Sequence, residues 1–135
     1  YSGNARISNA RVYASEISVR ISMITEGVNC AGEQATKFGV RAPMVGHMGD
    51  GNFHVVLPFD PENKESYKKI RAFNDTLIRK ALELNGTITG EHGVGLHKKE
   101  YLLEQHPDNI PVMKSIKRTL DPNNIMNPGK IFDLN

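Results

Sequence analysis

Three of the five histidines of this chain, together with one glutamate, sit in two glycine-rich stretches. Imidazole and carboxylate together form the donor set of divalent-metal chemistry. The first stretch, residues 46–54, reads GHMGDGNFH. Asp50-Gly51 between two apolar runs is a hairpin signal, because both turn positions must accept positive φ. A two-residue loop on Asp50 and Gly51 pairs Gly49 with Asn52, Met48 with Phe53 and His47 with His54. Directly opposed residues share a sheet face with Cβ atoms about 4.5–5.5 Å apart, so two imidazoles placed this way can hold one ion. The competing reading is a pair of surface or packed histidines that only stabilise a hairpin. A one-residue slip of register separates the two rings and removes the argument for a metal.

The second stretch, residues 86–95, reads GTITGEHGVG. Four glycines within ten positions mark a loop whose backbone approaches another group closely, although a plain solvent loop has the same composition. Glu91 could complete a facial His-His-carboxylate set that leaves positions open for substrate. Neighbouring side chains are expected to diverge, which leaves His92 as a base beside the metal. His97 and His106 stand among lysines and prolines and read as bystanders.

The elements that must position these residues follow from periodicity. Residues 1–15 carry no clear pattern and are expected to be loosely ordered. From Glu16, Ile17, Val19 and Ile21 alternate with Ser18, Arg20 and Ser22, which predicts a half-buried strand. Ile24, Val28, Ala31, Ala35 and Phe38 make one helix face, closed by Gly39 as a left-handed cap. Residues 43–48 and 53–59 read as the two hairpin strands. Asp60-Pro61 starts a second helix, with Tyr67, Ile70, Phe73, Leu77, Ala81 and Leu84 as its buried stripe and Asn85-Gly86 as its end. A short strand at Thr87–Thr89 follows, then helices at 96–105 and 111–120. The predicted class is α+β: a ferredoxin-like βαββαβ antiparallel sheet with its helices on one face, followed by a C-terminal helical tail. Residues 16–105 form the expected metal-bearing substrate domain. Residues 106–135, with four prolines, read as a tail that packs against something else.

Composition narrows the classes. The 135 residues suit one domain, and 39% apolar residues supply a core. Lys plus Arg number 17 against 15 Asp plus Glu, scattered along the chain, which argues against a nucleic-acid partner. No apolar run is long enough to span a bilayer. The single cysteine, Cys30, makes no internal disulfide and reads as a packed thiol in a reducing compartment, the cytoplasm or an organelle matrix.

With the segments GHMGDGNFH (46–54), GTITGEHGVG (86–95) and LDPNNIMNPGK (120–130), and more weakly ISVRIS (17–22), the chain resembles the C-terminal part of FAD-linked oxidases over residues 16–132. That family includes cytochrome-linked D-lactate dehydrogenases, the glycolate oxidase flavin subunit and D-2-hydroxyglutarate dehydrogenase. The resemblance implies an N-terminal FAD-binding domain and a substrate domain lying over the flavin ring. It implies that His47, His54 and Glu91 hold a divalent metal, usually zinc, that His92 is the base, and that Asn52 lies close to substrate. Arg20 stands where many relatives have proline; it could bind a substrate carboxylate or be solvated. Asn127 and Lys130 lie in a stretch that returns toward the flavin domain, to touch FAD or to pack there.

The reaction this implies is oxidation of a small D-2-hydroxy acid to the 2-oxo acid. No glycine-rich FAD-phosphate loop is present in the chain, so the flavin is expected to be held elsewhere, and the segment alone to be colourless and inactive. An apolar patch beside the hairpin, including Val45 and Val56, is expected to favour self-association into a homo-oligomer. Two rivals use the same residues differently: a metal-dependent hydrolase with an activated water, and a catalytically inert ferredoxin-like association module.

Overall fold

The computed structural model describes residues 11–134. The chain divides at Gly90 into two compact units, Tyr1–Gly90 and Glu91–Asn135, so residues 91–105 belong with the C-terminal helices.

The first unit is a three-stranded antiparallel sheet covered on one face by two helices. Its elements are β1 (Arg11–Ser18), α1 (Ile24–Phe38), β2 (Met44–Val45), β3 (Asn52–Phe59) and α2 (Lys64–Glu83), with strand order β1-β3-β2. Along β3, Phe53, Val55 and Leu57 are fully buried and alternate with half-buried Asn52, His54 and Val56. The first set meets Ile17 of β1, Ala31 of α1, and Ile70, Phe73, Leu77 and Ala81 of α2 in one core. Each Val, Leu, Ile or Phe among them contributes about 1.5–3 kcal/mol of burial. Phe38 meets Phe73 edge-on at 5.9 Å between ring centres, and Lys80 bonds Glu26 across the helix pair at 2.8 Å.

The periodicity of α1 carries over into the structure: Ile24, Val28, Ala35 and Phe38 all lie against the core, and Gly39 closes the helix at φ 60°. Cys30 is half-buried on this helix, and burial pushes its thiol pKa up, as suits a packed thiol. The stripe of α2 holds from Ile70 through Ala81 to Leu84 at its end, but Tyr67 is exposed, and the helix starts later than its sequence suggests. Its cap is Asn63, whose side chain accepts from the amides of Glu65 and Ser66; Asp60 instead accepts from Glu62 in the preceding turn. At the other end Asn85 takes the left-handed conformation, φ 54°.

The edges of the sheet correct the sequence reading. β1 runs from Arg11, so residues 11–15 are strand rather than loose chain; residues 1–10 of that expected loose segment lie outside the described residues. The cause is β3, which is long enough to pair Arg11 with Phe59 at one end and Ser18 with Asn52 at the other. Beyond Ser18 the Val19 amide still bonds the Gly51 carbonyl, but Gly51 already belongs to the turn and the paired strand ends there. The alternation Ile17, Val19, Ile21 therefore ends in a 3-10 turn at Ile21–Met23, with Ile21 exposed. Thr87–Thr89 is reduced to a single bridge, Thr87 to Ser18.

The second unit contains α3 (Lys99–Gln105) and α4 (Ile110–Leu120), followed by a tail without regular structure. The Lys99 ammonium bonds the Asp133 carboxylate at 2.8 Å, and the Ile131 amide bonds the Gly95 carbonyl at 2.8 Å. Asp121 accepts from the amides of Ile125 and Met126 and from the Lys117 ammonium, which holds its carboxyl below the usual aspartate range. Among the described residues no helix is long and apolar enough to cross a membrane.

Candidate functional site

The hairpin that was expected to oppose His47 and His54 has a different register. Val45, not His47, is paired with His54, and β2 is only two residues long. The connection is a 3-10 turn at Met48–Asp50 closed by Gly51 at φ 80°. The His47 carbonyl accepts from the amides of Asp50 and Asn52, so four residues, not two, lie inside the turn. The slip is two positions, which preserves the alternation of faces. By residue count His47 is diagonal to His54, and diagonal neighbours remain within reach of long side chains. His47 is exposed and His54 half-buried.

Across the other edge of β3, the residue directly opposite His54 is Glu16 of β1. Their donor atoms, a carboxylate oxygen and a ring nitrogen, lie within 4.8 Å of each other. Glu16 is 2% exposed although it points away from the helical core. The Thr89 hydroxyl donates to its Oε2 at 2.8 Å. Glu16 passes unnoticed in sequence because one acidic residue at the start of an alternating run reads as a solvent-facing position. The signal that could have marked it is its parity, since it stands out of phase with Ile17 and in phase with the face that carries His54.

Asn52 occupies the same face two residues before His54, opposite Ser18. Its Oδ1 is buried and takes no hydrogen bond from the described residues, and the Gly90 backbone lies against its amide group. An amide oxygen so placed is a ready acceptor for a ligand donor. Arg20 is exposed just past the end of β1, its backbone starting the 3-10 turn, so it does not share a strand face with Ser18 as the alternation suggested.

Glu91 and His92 open the second unit, both exposed. Their side chains converge rather than diverge: His92 Nε2 is 3.7 Å from Glu91 Oε1. Divergence is the default for adjacent residues on regular backbone, but the glycines on either side free this segment from that geometry, and Gly93 takes φ 73°. His97 and His106 are exposed, and the His106 amide closes α3 on the Leu102 carbonyl. Asn127 and Lys130 are exposed on one turn, with Asn127 at φ 46° and the Lys130 amide bonded to the Asn127 carbonyl.

An imidazole nitrogen on a paired strand with a carboxylate oxygen within 4.8 Å fits a divalent cation of the zinc type, whether that carboxylate ligates or braces the ring. Comparison with known proteins agrees with the motifs. The family model for the C-terminal domain of FAD linked oxidases matches residues 2–131. A probable mitochondrial D-lactate dehydrogenase of Danio rerio is 37% identical over 99% of this chain and 27% of its own length. The glycolate oxidase subunit GlcD of Bacillus subtilis is 39% identical over 87% of this chain and 25% of its own. D-2-hydroxyglutarate dehydrogenase of Stutzerimonas stutzeri is 35% identical over 93% of this chain and 28% of its own. The chain thus spans about a quarter of the length of these relatives. In fold it is similar to 4-ethylphenol oxidase from Gulosibacter chungangensis in its isoeugenol complex, with TM-score 0.60 over 93% of this chain and 25% of that one, at 20% identity. With nearly its whole length matched by the family model, the chain belongs to the C-terminal domain family of FAD linked oxidases.

Proposed function

We propose that this chain is the metal-bearing, substrate-side part of a flavoenzyme that oxidises a D-2-hydroxy acid to the 2-oxo acid. The observation that carries this reading is a sheet face bearing His54 and Asn52 in a member of the FAD linked oxidase family. The relatives support the substrate class: by name they act on D-lactate, glycolate and D-2-hydroxyglutarate, which share a hydroxyl on the carbon next to a carboxylate.

In this reading His47, His54 and Glu91 hold a divalent cation, zinc by ligand type. When bound, the cation supplies Lewis-acid polarisation of the substrate oxygens, and FAD in the complete protein takes up the two electrons. His92, whose Nε2 is 3.7 Å from the Glu91 carboxylate, takes the hydroxyl proton. Asn52 orients the substrate through its buried amide oxygen. Arg20 is the cationic group at the end of β1 that pairs with a substrate carboxylate.

Residues 106–135 pack on the FAD-binding part of the complete protein in this reading. Support comes from α4, where Val112, Ile116 and Leu120 form an exposed apolar row at four-residue spacing, continued by Ile125 and Met126. Asn127 and Lys130 lie just beyond that row, where they touch FAD or its domain.

The test is anaerobic mixing of the complete protein with D- and L-2-hydroxy acids of increasing size while flavin absorbance is followed. Bleaching by one or more D-2-hydroxy acids, and none by alcohols that lack the carboxylate, is the expected outcome. Equal bleaching by such alcohols, or none by any 2-hydroxy acid, overturns the reading.

A further inference from the structure

Glu16 has no part in the ligand set proposed above, yet its placement is costly enough to need a purpose. Burying a carboxylate is unfavourable unless hydrogen bonds or a cation compensate. Glu16 is 2% exposed, between Ser15 and Ile17, which are buried on the helical side of the same strand. The eight-residue pairing of β1 with β3 places it directly opposite His54, with donor atoms within 4.8 Å. The Thr89 hydroxyl at 2.8 Å holds Oε2 and so sets the plane of the carboxylate. Thr89 is two residues before Glu91, so the segment that orients Glu16 also leads to the proposed carboxylate ligand.

A histidine that ligates a metal through one ring nitrogen carries a proton on the other. That N–H normally donates to a carboxylate or carbonyl, which fixes the tautomer and the ring orientation. We infer that Glu16 is a positioning residue for His54: its carboxylate accepts the second ring N–H and, held in turn by Thr89, locks His54 in the ligating orientation. This rests on the reading of His54 as a metal ligand. It assigns the rigid half of the centre to a strand pair, whereas His47 belongs to a turn, and sites carried on paired strands hold geometry better than sites carried on loops.

The test titrates zinc into the chain and into Glu16→Gln and Glu16→Asp, with a competing chelator to read affinity and ¹⁵N spectra of the His54 ring to read its tautomer. Glu16→Gln is isosteric but replaces the acceptor pair with a mixed amide. Its zinc affinity is expected to fall about 10–100-fold, the usual cost of losing an outer partner of a ligand. The His54 ring nitrogens should shift while the thermal midpoint of the apo chain stays near wild type, a combination that a merely structural role does not produce. Glu16→Asp should recover most of the affinity. Should Glu16→Gln not fold, a crystal structure of the zinc-loaded wild-type chain decides: a Glu16 oxygen at hydrogen-bond distance from the non-ligating nitrogen of His54 is expected. A Glu16 oxygen on the zinc itself, or wild-type affinity and His54 shifts in Glu16→Gln, overturns the inference alone. A wild-type chain that binds no zinc removes the metal reading as well, and that result is visible before any variant is made.

Discussion

The Val19 amide donates to the Gly51 carbonyl at 2.9 Å, and a Cβ built on Gly51 would stand 2.1 Å from the Val19 carbonyl oxygen. The turn that follows His47 is therefore pressed backbone to backbone against the end of β1. Gly51 also takes φ 80°, which a side chain disfavours. Gly51→Ala should cost more than the roughly 1–3 kcal/mol of a strained φ alone, because a backbone carbonyl must also move. Gly49→Ala, in the same turn with open space around its Cβ position, is the matched control and should change stability little. Denaturant unfolding of both variants measures the difference; equal midpoints would mean the turn does not press on β1.

The ligand assignment gives a second outcome. His47→Ala and His54→Ala should each sharply reduce zinc retained by the chain after gel filtration, and His97→Ala should retain it. His54 belongs to a paired strand and His47 to a turn, so the loss should be larger for His54→Ala. Unchanged stoichiometry in both variants would leave the family motif without a metal in this chain.

How much of this was legible in the sequence depends on how local the cause is. The face of α1 and its end at Gly39 were readable because a 3.6-residue period and a left-handed cap are decided within the helix itself. The candidate site residues His47, His54, Glu91 and His92 stood out by type in glycine-rich settings. The hairpin register was not readable. Asp50-Gly51 serves a two-residue loop and a longer 3-10 turn equally well, and here the Val19 backbone packed on Gly51 accompanies the second. Glu16 was hidden for a similar reason: its place in the site depends on a pairing with His54 and a hydroxyl contributed by Thr89, 73 residues away. Nor did periodicity give the start of β1. Arg11 to Ala14 become strand because β3 offers them partners, not because they alternate.

Acid should loosen the tail of the second unit. Asp121 binds the amides of Ile125 and Met126 and the Lys117 ammonium only as a carboxylate, and these contacts lower its pKa in the folded chain. A depressed folded value means the stabilisation is complete above the ordinary aspartate pKa, about 3.9, and is lost as pH falls through the lower folded value. Hydrogen exchange at the Ile125 and Met126 amides should be slow at neutral pH, and protection should fall only below the ordinary aspartate range. Asp121→Asn should lose much of that protection at neutral pH and converge with wild type in acid. Equal protection in the two proteins at pH 7 would show that the charge is not what holds the tail.

His92 carries the last prediction. Its ring lies 3.7 Å from the Glu91 carboxylate, so a base and a ligand would stand side by side in one loop. If Glu91 is the ligand and His92 the base, removing the imidazole leaves the metal set intact and removes only the proton acceptor. In the complete enzyme His92→Ala should keep its zinc and its flavin and lose turnover by about 10²–10⁴-fold, the range typical of a missing general base. The loss belongs to the half-reaction in which the 2-hydroxy acid reduces the flavin, since reoxidation by the acceptor needs no substrate proton. Stopped-flow measurement of the two half-reactions separates them. Metal loss in this variant would make His92 a ligand, and near-normal flavin reduction would place the proton on another group.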